Sequence, residues 1–279
     1  MKLIICSLLL CSCCVYSQWV KLNPVNSNPD YQKCDFIDQN TGWIAGDSGC
    51  VLYTSNGGVS WANRNTPDEN LIWIQFINAN TGFTSGSSSS LYKTTNGGLN
   101  WITLVTDPGA INHAFHFFDQ VNGILCGGNN LLKTTNGGNN WYTLLNGGYF
   151  INIFFLNAQT GWVSTLDGNI FKTTNAGNNW TSMYGIGGKL YFINELTGWV
   201  VTPYIFSSVY MTTNGGYNWI LQQVPYNIKR AVAFLDENTG FVSGTGIFKT
   251  TNGGANWTNF DYYYTSEVTD LAVLNNNTV

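Results

Sequence analysis

Residues 234–257 read Phe234-Leu-Asp-Glu-Asn-Thr-Gly-Phe241-Val-Ser-Gly-Thr-Gly-Ile-Phe-Lys-Thr250-Thr-Asn-Gly-Gly-Ala-Asn-Trp257, and this phrase recurs along the chain. Its second half appears from Thr54 to Trp61, Thr94 to Trp101, Thr134 to Trp141, Thr173 to Trp180, Thr212 to Trp219 and Thr250 to Trp257. The tryptophans Trp61, Trp101, Trp141, Trp180, Trp219 and Trp257 are spaced by 40, 40, 39, 39 and 38 residues. Its first half precedes each copy, from Phe36 to Trp43, Phe76 to Phe83, Phe117 to Ile124, Phe155 to Trp162, Phe192 to Trp199 and Phe234 to Phe241. A fixed period of this length is the mark of a repeat architecture.

Each unit translates into four short strands. An apolar run ends at the Phe, Asn-Thr-Gly makes a turn, and Gly-aromatic-x-x-Gly forms the second strand. A third strand ends in Thr-Thr. Asn-Gly-Gly then closes a tight hairpin, since Asn and Gly tolerate the positive φ it requires. The Trp opens the fourth strand and is expected to pack between adjacent sheets. One Lys per unit, at Lys93, Lys133, Lys172 and Lys249, reads as a stem on the sheet with its head in water. Four strands in about 40 residues predict a blade of a β-propeller, which buries its faces only by stacking around a ring. The fold class is therefore all-β, a propeller of four-stranded blades.

The sequence predicts six complete blades and a partial seventh. Residues 271–278, Leu-Ala-Val-Leu-Asn-Asn-Asn-Thr, repeat 232–239, Val-Ala-Phe-Leu-Asp-Glu-Asn-Thr, at an offset of 39. Trp19-Val-Lys-Leu22 resembles a fourth strand with nothing before it. The two fragments fit one seventh blade that lacks its middle strands. The domain, residues 18–279, is thus expected to be C-terminally incomplete, with a truncated reading frame preferred over a closed six-bladed ring.

Residues 1–17 read as a secretory signal: Lys2, an apolar stretch from Leu3 to Leu10, then small residues up to Ser17. Leu10-Cys-Ser-Cys13 offers a second reading, a lipid anchor on Cys13. Either way the protein is expected to be exported, to a periplasmic, cell-surface or extracellular place. No later apolar run reaches the roughly 18 residues of a spanning helix. Cys34, Cys50 and Cys126 follow the signal. An odd number gives no complete disulfide framework, and small buried thiols are expected.

The chain has 279 residues, a formal charge of −4 and 9% charged residues, against about 25% in an average soluble protein. That excludes the basic footprint of a nucleic-acid binder. Carboxylates are sparse: Glu occurs at Glu69, Glu195, Glu237 and Glu267, with Glu195 and Glu237 in turns. Asp47 and Asp167 sit in loops where Asp is ordinary turn chemistry. No facing pair for glycoside hydrolysis is evident. His113 and His116, three apart on a strand, point to opposite faces and share no metal. No cofactor, metal site or catalytic residue is expected.

Thr-x-Asn-Gly-Gly-x-x-Trp resembles the Asp-box, or bacterial neuraminidase repeat, with Asn in the usual Asp place. Together with Phe…Asn-Thr-Gly-Trp…Gly it resembles the photosystem II assembly/stability factor-like propeller family over residues 19 to 279. The resemblance implies seven blades and a non-enzymatic, protein-binding or assembly role, a photosynthesis-type domain by name. It implies an arginine-rich partner patch, whereas this chain has only Arg64 and Arg230. Sialidases of this fold clamp substrate with three arginines, so that reading fails here. The expected function is an exported, non-enzymatic scaffold that recognises a protein or glycan. The alternative is a glycan-processing hydrolase of the Asp-box group.

The binding face follows from the loops. Turns between first and second strands, and between third and fourth, are monotonous and share one face. The other loops vary and share the opposite face, where binding diversity belongs. Blade five carries the longest such loop, Pro203 to Phe206, beside the next one, Pro225 to Arg230. Tyr204, Phe206, Tyr226, Lys229 and Arg230 are the candidate ligand-binding residues, aromatic and Arg groups being common interface anchors.

Overall fold

A computed structural model describes residues 30–67, 70–87, 90–104, 112–203, 207–225, 228–261 and 267–273. They form twenty-four strands in six antiparallel sheets of four. Blade one holds β1 (Tyr31–Phe36), β2 (Gly42–Gly46), β3 (Val51–Thr54) and β4 (Ala62–Asn63); blade two holds β5 (Leu71–Phe76), β6 (Gly82–Gly86), β7 (Leu91–Thr94) and β8 (Ile102–Leu104). Blade three holds β9 (Asn112–Phe117), β10 (Gly123–Gly127), β11 (Asn130–Thr134) and β12 (Tyr142–Asn146); blade four holds β13 (Phe150–Phe155), β14 (Gly161–Thr165), β15 (Asn169–Thr173) and β16 (Thr181–Tyr184). Blade five holds β17 (Lys189–Phe192), β18 (Gly198–Val201), β19 (Val209–Thr212) and β20 (Ile220–Gln222); blade six holds β21 (Lys229–Phe234), β22 (Gly240–Gly244), β23 (Ile247–Thr250) and β24 (Thr258–Asp261). The first strands touch those of neighbouring blades and line a central channel, while fourth strands such as β4 and β8 lie at the exposed rim. The propeller reading of the repeat is thereby met.

The Thr-x-Asn-Gly-Gly hairpin is held by its own side chains. Thr54 Oγ1 accepts from Gly58 N at 2.8 Å, and Asn56 Oδ1 accepts from Ser60 N at 2.9 Å. The same bonds recur in the other five blades. Gly57 and Gly58 take φ of 66° and 86°, a region that only glycine enters without strain. The Asn-Thr-Gly turn is an Asx turn: Asn78 Oδ1 accepts from Asn80 N and Thr81 N at 2.9 and 2.8 Å. The two turns of a blade bond to each other, Gly97 N donating to Asn80 O at 2.8 Å. Their monotony is structural, which leaves the opposite face free to vary.

The blades are joined by aromatic stacking. Trp43 lies flat on Phe76 of the next blade at 3.5 Å, Phe83 on Phe117 at 3.5 Å, Trp162 on Phe192 at 3.7 Å and Trp199 on Phe234 at 3.5 Å. In blade three Ile124 takes the aromatic's place and packs in one cluster with Phe155. The glycine opening each second strand leaves room for the Phe of its own blade: a Cβ on Gly82 would stand 2.5 Å from the Phe76 ring.

One expectation is met and refined, and another changes. From Trp101 onward the repeat tryptophans pack in clusters shared with the preceding blade, as expected, but they do not carry the flat stack. Each stands edge-on to the Phe of its own blade, at 5.9 to 6.4 Å. All but Trp257 are half-buried, and the fully buried tryptophans are Trp43, Trp162 and Trp199. The lysine heads are not simply solvated. Lys93 and Lys172 lie over Phe83 and Trp162 and donate to Gln120 O and Glu195 O of the next blade, each at 3.2 Å. Lys133 reaches Asn178 Oδ1 at 2.6 Å, also one blade on.

No seventh sheet exists among the described residues. Residues 267–273 form no strand, yet they lie between blades six and one: Val268 and Leu271 join the blade-six core, and Ala272 packs on blade one. Trp19 to Leu22, residues 274–278 and the signal segment with Cys13 lie outside the described residues. Among the described residues no helix is long and apolar enough to cross a membrane.

Because the stacked ring is fully buried and the repeat Trp is not, Trp162→Ala should cost about 3–5 kcal/mol, the usual range for a buried large aromatic, and Trp141→Ala clearly less. Urea unfolding of both variants checks the order; an equal or larger loss for Trp141→Ala would contradict this packing.

Candidate functional site

First strands begin on the face that carries the variable loops, so their N-terminal ends form the mouth of the channel. A cavity of about 380 Å³ opens there, lined among others by Gln32, Asn152, Lys189, Thr202, Pro203 and Arg230. A second cavity of about 300 Å³, deeper in the channel, shares Asn152 and Lys189 and adds Lys33, Asp35 and Asp270. The channel is thus polar at its mouth and charged within, although most of the surrounding core is aromatic or aliphatic.

The charges are arranged around Asp270. Lys33 Nζ donates to its Oδ2 at 2.9 Å, Cys34 N donates to the same oxygen at 3.2 Å, and Lys189 Nζ stands 3.9 Å from Oδ1. Lys189 Nζ also donates to Thr269 O at 3.2 Å. Burial opposes the charge on Lys33 most strongly of any single cause, but the Asp270 carboxylate, Cys34 and Asp35 together raise the ammonium pKa. For Lys189 burial prevails and lowers it. Asp35 is pushed up to about 6, burial first, against the pull of a hydrogen bond from Phe76 N and of Lys33 nearby.

The expected ligand-binding residues fall as follows. Lys229 and Arg230 line the mouth cavity, and Pro203, which opens the blade-five loop, lines it with them. Tyr204, Phe206 and Tyr226 lie outside the described residues. The two cations do not stand as a free pair. Lys229 is buried and its Nζ donates to Ser207 O at 3.0 Å; Arg230 Nη2 pairs with Glu267 Oε2 at 2.7 Å. Sequence reading missed Lys33, Asp35, Lys189 and Asp270. Their signal was a charged residue where aligned repeats carry a neutral one, such as Trp73 or Asn152 at the place of Lys33, Lys189 and Asp270 and Gln75 at the place of Asp35.

Other candidates are absorbed by packing. His116 is stacked on Phe155 at 4.9 Å, and burial lowers its pKa to about 4, so it is neutral at pH 7. The side chain of His113 lies outside the described residues. Cys34, Cys50 and Cys126 form no disulfide with one another, and Cys34 and Cys126 are buried. Among the described residues no group of His, Cys, Asp and Glu is placed to hold a metal.

The raised Asp35 pKa has a signed consequence. Between its unfolded value near 3.9 and about 6 in the fold, the folded protein binds more protons than the unfolded chain. Stability therefore falls as pH rises through that window. In Asp35→Asn the side chain keeps an acceptor for Phe76 N and does not titrate. Its stability relative to the parent should improve from pH 4 to pH 7. Urea midpoints at unit pH steps measure this, and identical pH slopes for the two proteins would refute it.

Solved structures similar to this chain share its fold. YCF48 bound to a D1 peptide matches with a TM-score of 0.66 and 16% identity, covering 85% of this chain and 86% of the other. YCF48 from Cyanidioschyzon merolae gives 0.68, 16%, 85% and 86%. The GH74 xyloglucanase from Xanthomonas campestris gives 0.62 and 15%, with 78% of this chain but 44% of that one covered. No curated protein matches. The family model for photosynthesis system II assembly factor YCF48 matches residues 12–101 and 65–185, which together span more than half of the chain. With its repeat, ring and channel on these terms, the chain belongs to the YCF48 photosynthesis system II assembly factor family.

Proposed function

We propose that this protein is an exported, non-enzymatic assembly scaffold that holds an extended segment of a protein partner at the channel mouth. One observation carries the reading: the cavity of about 380 Å³ lies on the variable-loop face and is lined by Lys189, Arg230, Asn152 and Thr202, a mixture of cationic and neutral hydrogen-bonding groups. Such groups suit main-chain carbonyls and carboxylates of a peptide. A structure of a YCF48 with a D1 peptide supports a peptide as the kind of ligand. The blade-five loop around Tyr204 and Phe206, with Tyr226, supplies the apolar anchors. Residues 1–17 as a signal, or Cys13 as a lipid anchor, would place the scaffold in the envelope or outside the cell.

The GH74 likeness keeps a glycan hydrolase as the second reading. Its candidates are the channel carboxylates. Asp270 is held by Lys33, Cys34 N and Lys189, and Asp35 by Phe76 N. Both carboxylates take part in bonds that hold the ring together, which supports the scaffold reading.

The test is affinity capture from the native envelope fraction by mature protein, with the captured partner then titrated as purified protein. Lys189→Ala with Arg230→Ala, and separately Tyr204→Ala with Tyr226→Ala, should each weaken binding tenfold or more while the thermal midpoint stays that of a folded ring. Unchanged affinity in both double variants would remove the mouth as the site, and xyloglucan cleavage lost in Asp35→Asn would favour the hydrolase.

A further inference from the structure

Third strands reach the next blade through the residue before their final Thr. Lys93, Lys133 and Lys172 fill that place in blades two to four, opposite Phe83, Ile124 and Trp162 of the second strand. Lys93 and Lys172 lie over their rings at 5.3 and 5.0 Å and donate to Gln120 O and Glu195 O in the first turn of the next blade. Both ammonium groups stand beside the first glycine of that blade's hairpin. A Cβ on Gly137 would lie 2.6 Å from Lys93 Nζ and 2.8 Å from Gln120 O; one on Gly215 would lie 3.3 Å from Lys172 Nζ and 2.8 Å from Glu195 O. Turn carbonyl and hairpin glycine thus form a socket for one primary ammonium.

Between blades five and six the socket is kept, but its lysine is replaced. Met211 takes the place opposite Trp199 and packs against the apolar cluster of that boundary. A Cβ on Gly253 would lie 3.0 Å from Glu237 O, with no other atom of the described residues within 4 Å. A cleft of about 450 Å³ opens there, lined among others by Thr197, Met211, Gln222, Glu237 and Gly253. Glu237 is exposed and brings a carboxylate to its edge. The boundary also bears a mark of the exchange. Trp199 meets Phe234 with 11° between planes, against 4 to 5° in the other flat stacks. Its buried indole N–H has no acceptor among the described residues, whereas those of Trp43 and Trp162 donate to Gly97 O and Gly215 O, each at 3.1 Å. Between blades one and two, where Tyr53 holds the lysine's place, Arg64 lies over the Tyr53 ring at 5.2 Å, so that boundary has a cation of its own.

We propose that the cleft between blades five and six binds a primary alkylammonium group, from a lysine side chain of a partner protein or from a free amine. The ammonium takes the position that Lys93 Nζ and Lys172 Nζ hold at their boundaries. Glu237 O accepts one of its hydrogens, and the Glu237 carboxylate supplies the counter-charge, a charge-assisted arrangement. The alkyl chain lies along Met211, whose flexible thioether adapts to an incoming apolar stem. The cleft is on the face of the monotonous turns, opposite the channel mouth, and the proposal does not depend on the peptide reading of that mouth.

The probes are the acetyl methylamide of lysine, that of norleucine as its uncharged analogue, and pentylamine. Each is titrated into the full chain isotopically labelled at its tryptophan indoles, and the Trp199 resonance is assigned by its loss in Trp199→Phe. The lysine amide should shift the Trp199 indole saturably in the millimolar range, and the norleucine amide should bind at least tenfold more weakly. Met211→Lys restores the residue of the other blades and should abolish the shift by filling the socket from within; Glu237→Gln should weaken binding severalfold. Tighter binding of the lysine amide than of pentylamine assigns the socket to a protein lysine, and equal binding assigns it to a free amine; both support the site. The comparison of ligands leaves the protein untouched, so it decides the matter even if a variant disturbs the blade. No saturable shift at Trp199, an equal response to the norleucine amide, or unchanged binding in a folded Met211→Lys protein overturns the proposal.

Discussion

The ring depends on one contact, an aromatic of a second strand laid flat on the Phe that ends the first strand of the next blade. At 3.5 to 3.7 Å this is close to van der Waals contact over whole rings. It excludes water and fixes the angle between adjacent sheets together. A second ring, the repeat Trp, holds the same Phe from its edge. The T-shaped contact is an arrangement that the quadrupole of aromatic rings favours, whereas the flat stack sets the rings almost centroid over centroid and is held by dispersion and burial. The Phe is therefore a junction between blades, and the glycine facing it is required because any side chain there would enter the ring.

Polar groups add the finer stitching. Gln75 Nε2 donates to Phe117 O and its Oε1 accepts from Phe117 N, at 3.1 and 2.8 Å, so that one side chain mimics a strand neighbour across a blade boundary. Tyr191 Oη donates to Phe234 O at 2.9 Å. Asp35 meets Phe76 N from the equivalent position of blade one but does so with a carboxylate, and its burial raises its pKa. The charged part of the channel is thus a variant of a boundary that elsewhere is neutral. Lys33 and Lys189, reaching it from blades one and five, balance the carboxylates there.

The family link and the geometry bear on function at different depths. Membership in the YCF48 family rests on the matched residues. The shared ring with a GH74 enzyme shows that this fold serves hydrolysis and assembly alike, so fold does not choose between them. The bonds that hold Asp35 and Asp270 support the scaffold reading proposed above.

Local chemistry was legible in the sequence because it repeats. Asn-Gly-Gly, Asn-Thr-Gly and their Thr and Asn side chains make bonds within a few residues of themselves, so reading them required no knowledge of the ring. The four-stranded unit and the variable face followed from the same local rules. Tertiary structure alone decided which aromatic carries the flat stack, since the sequence shows an aromatic after the second-strand glycine and a Trp after the hairpin but not which of them lies on the Phe of the next blade. It alone brought Lys33, Lys189 and Asp270 together, three residues scattered over the chain whose Coulomb coupling arises only when the ring closes. It also tied Lys229 and Arg230 to Ser207 and Glu267, where the sequence showed two adjacent cations and nothing to hold them.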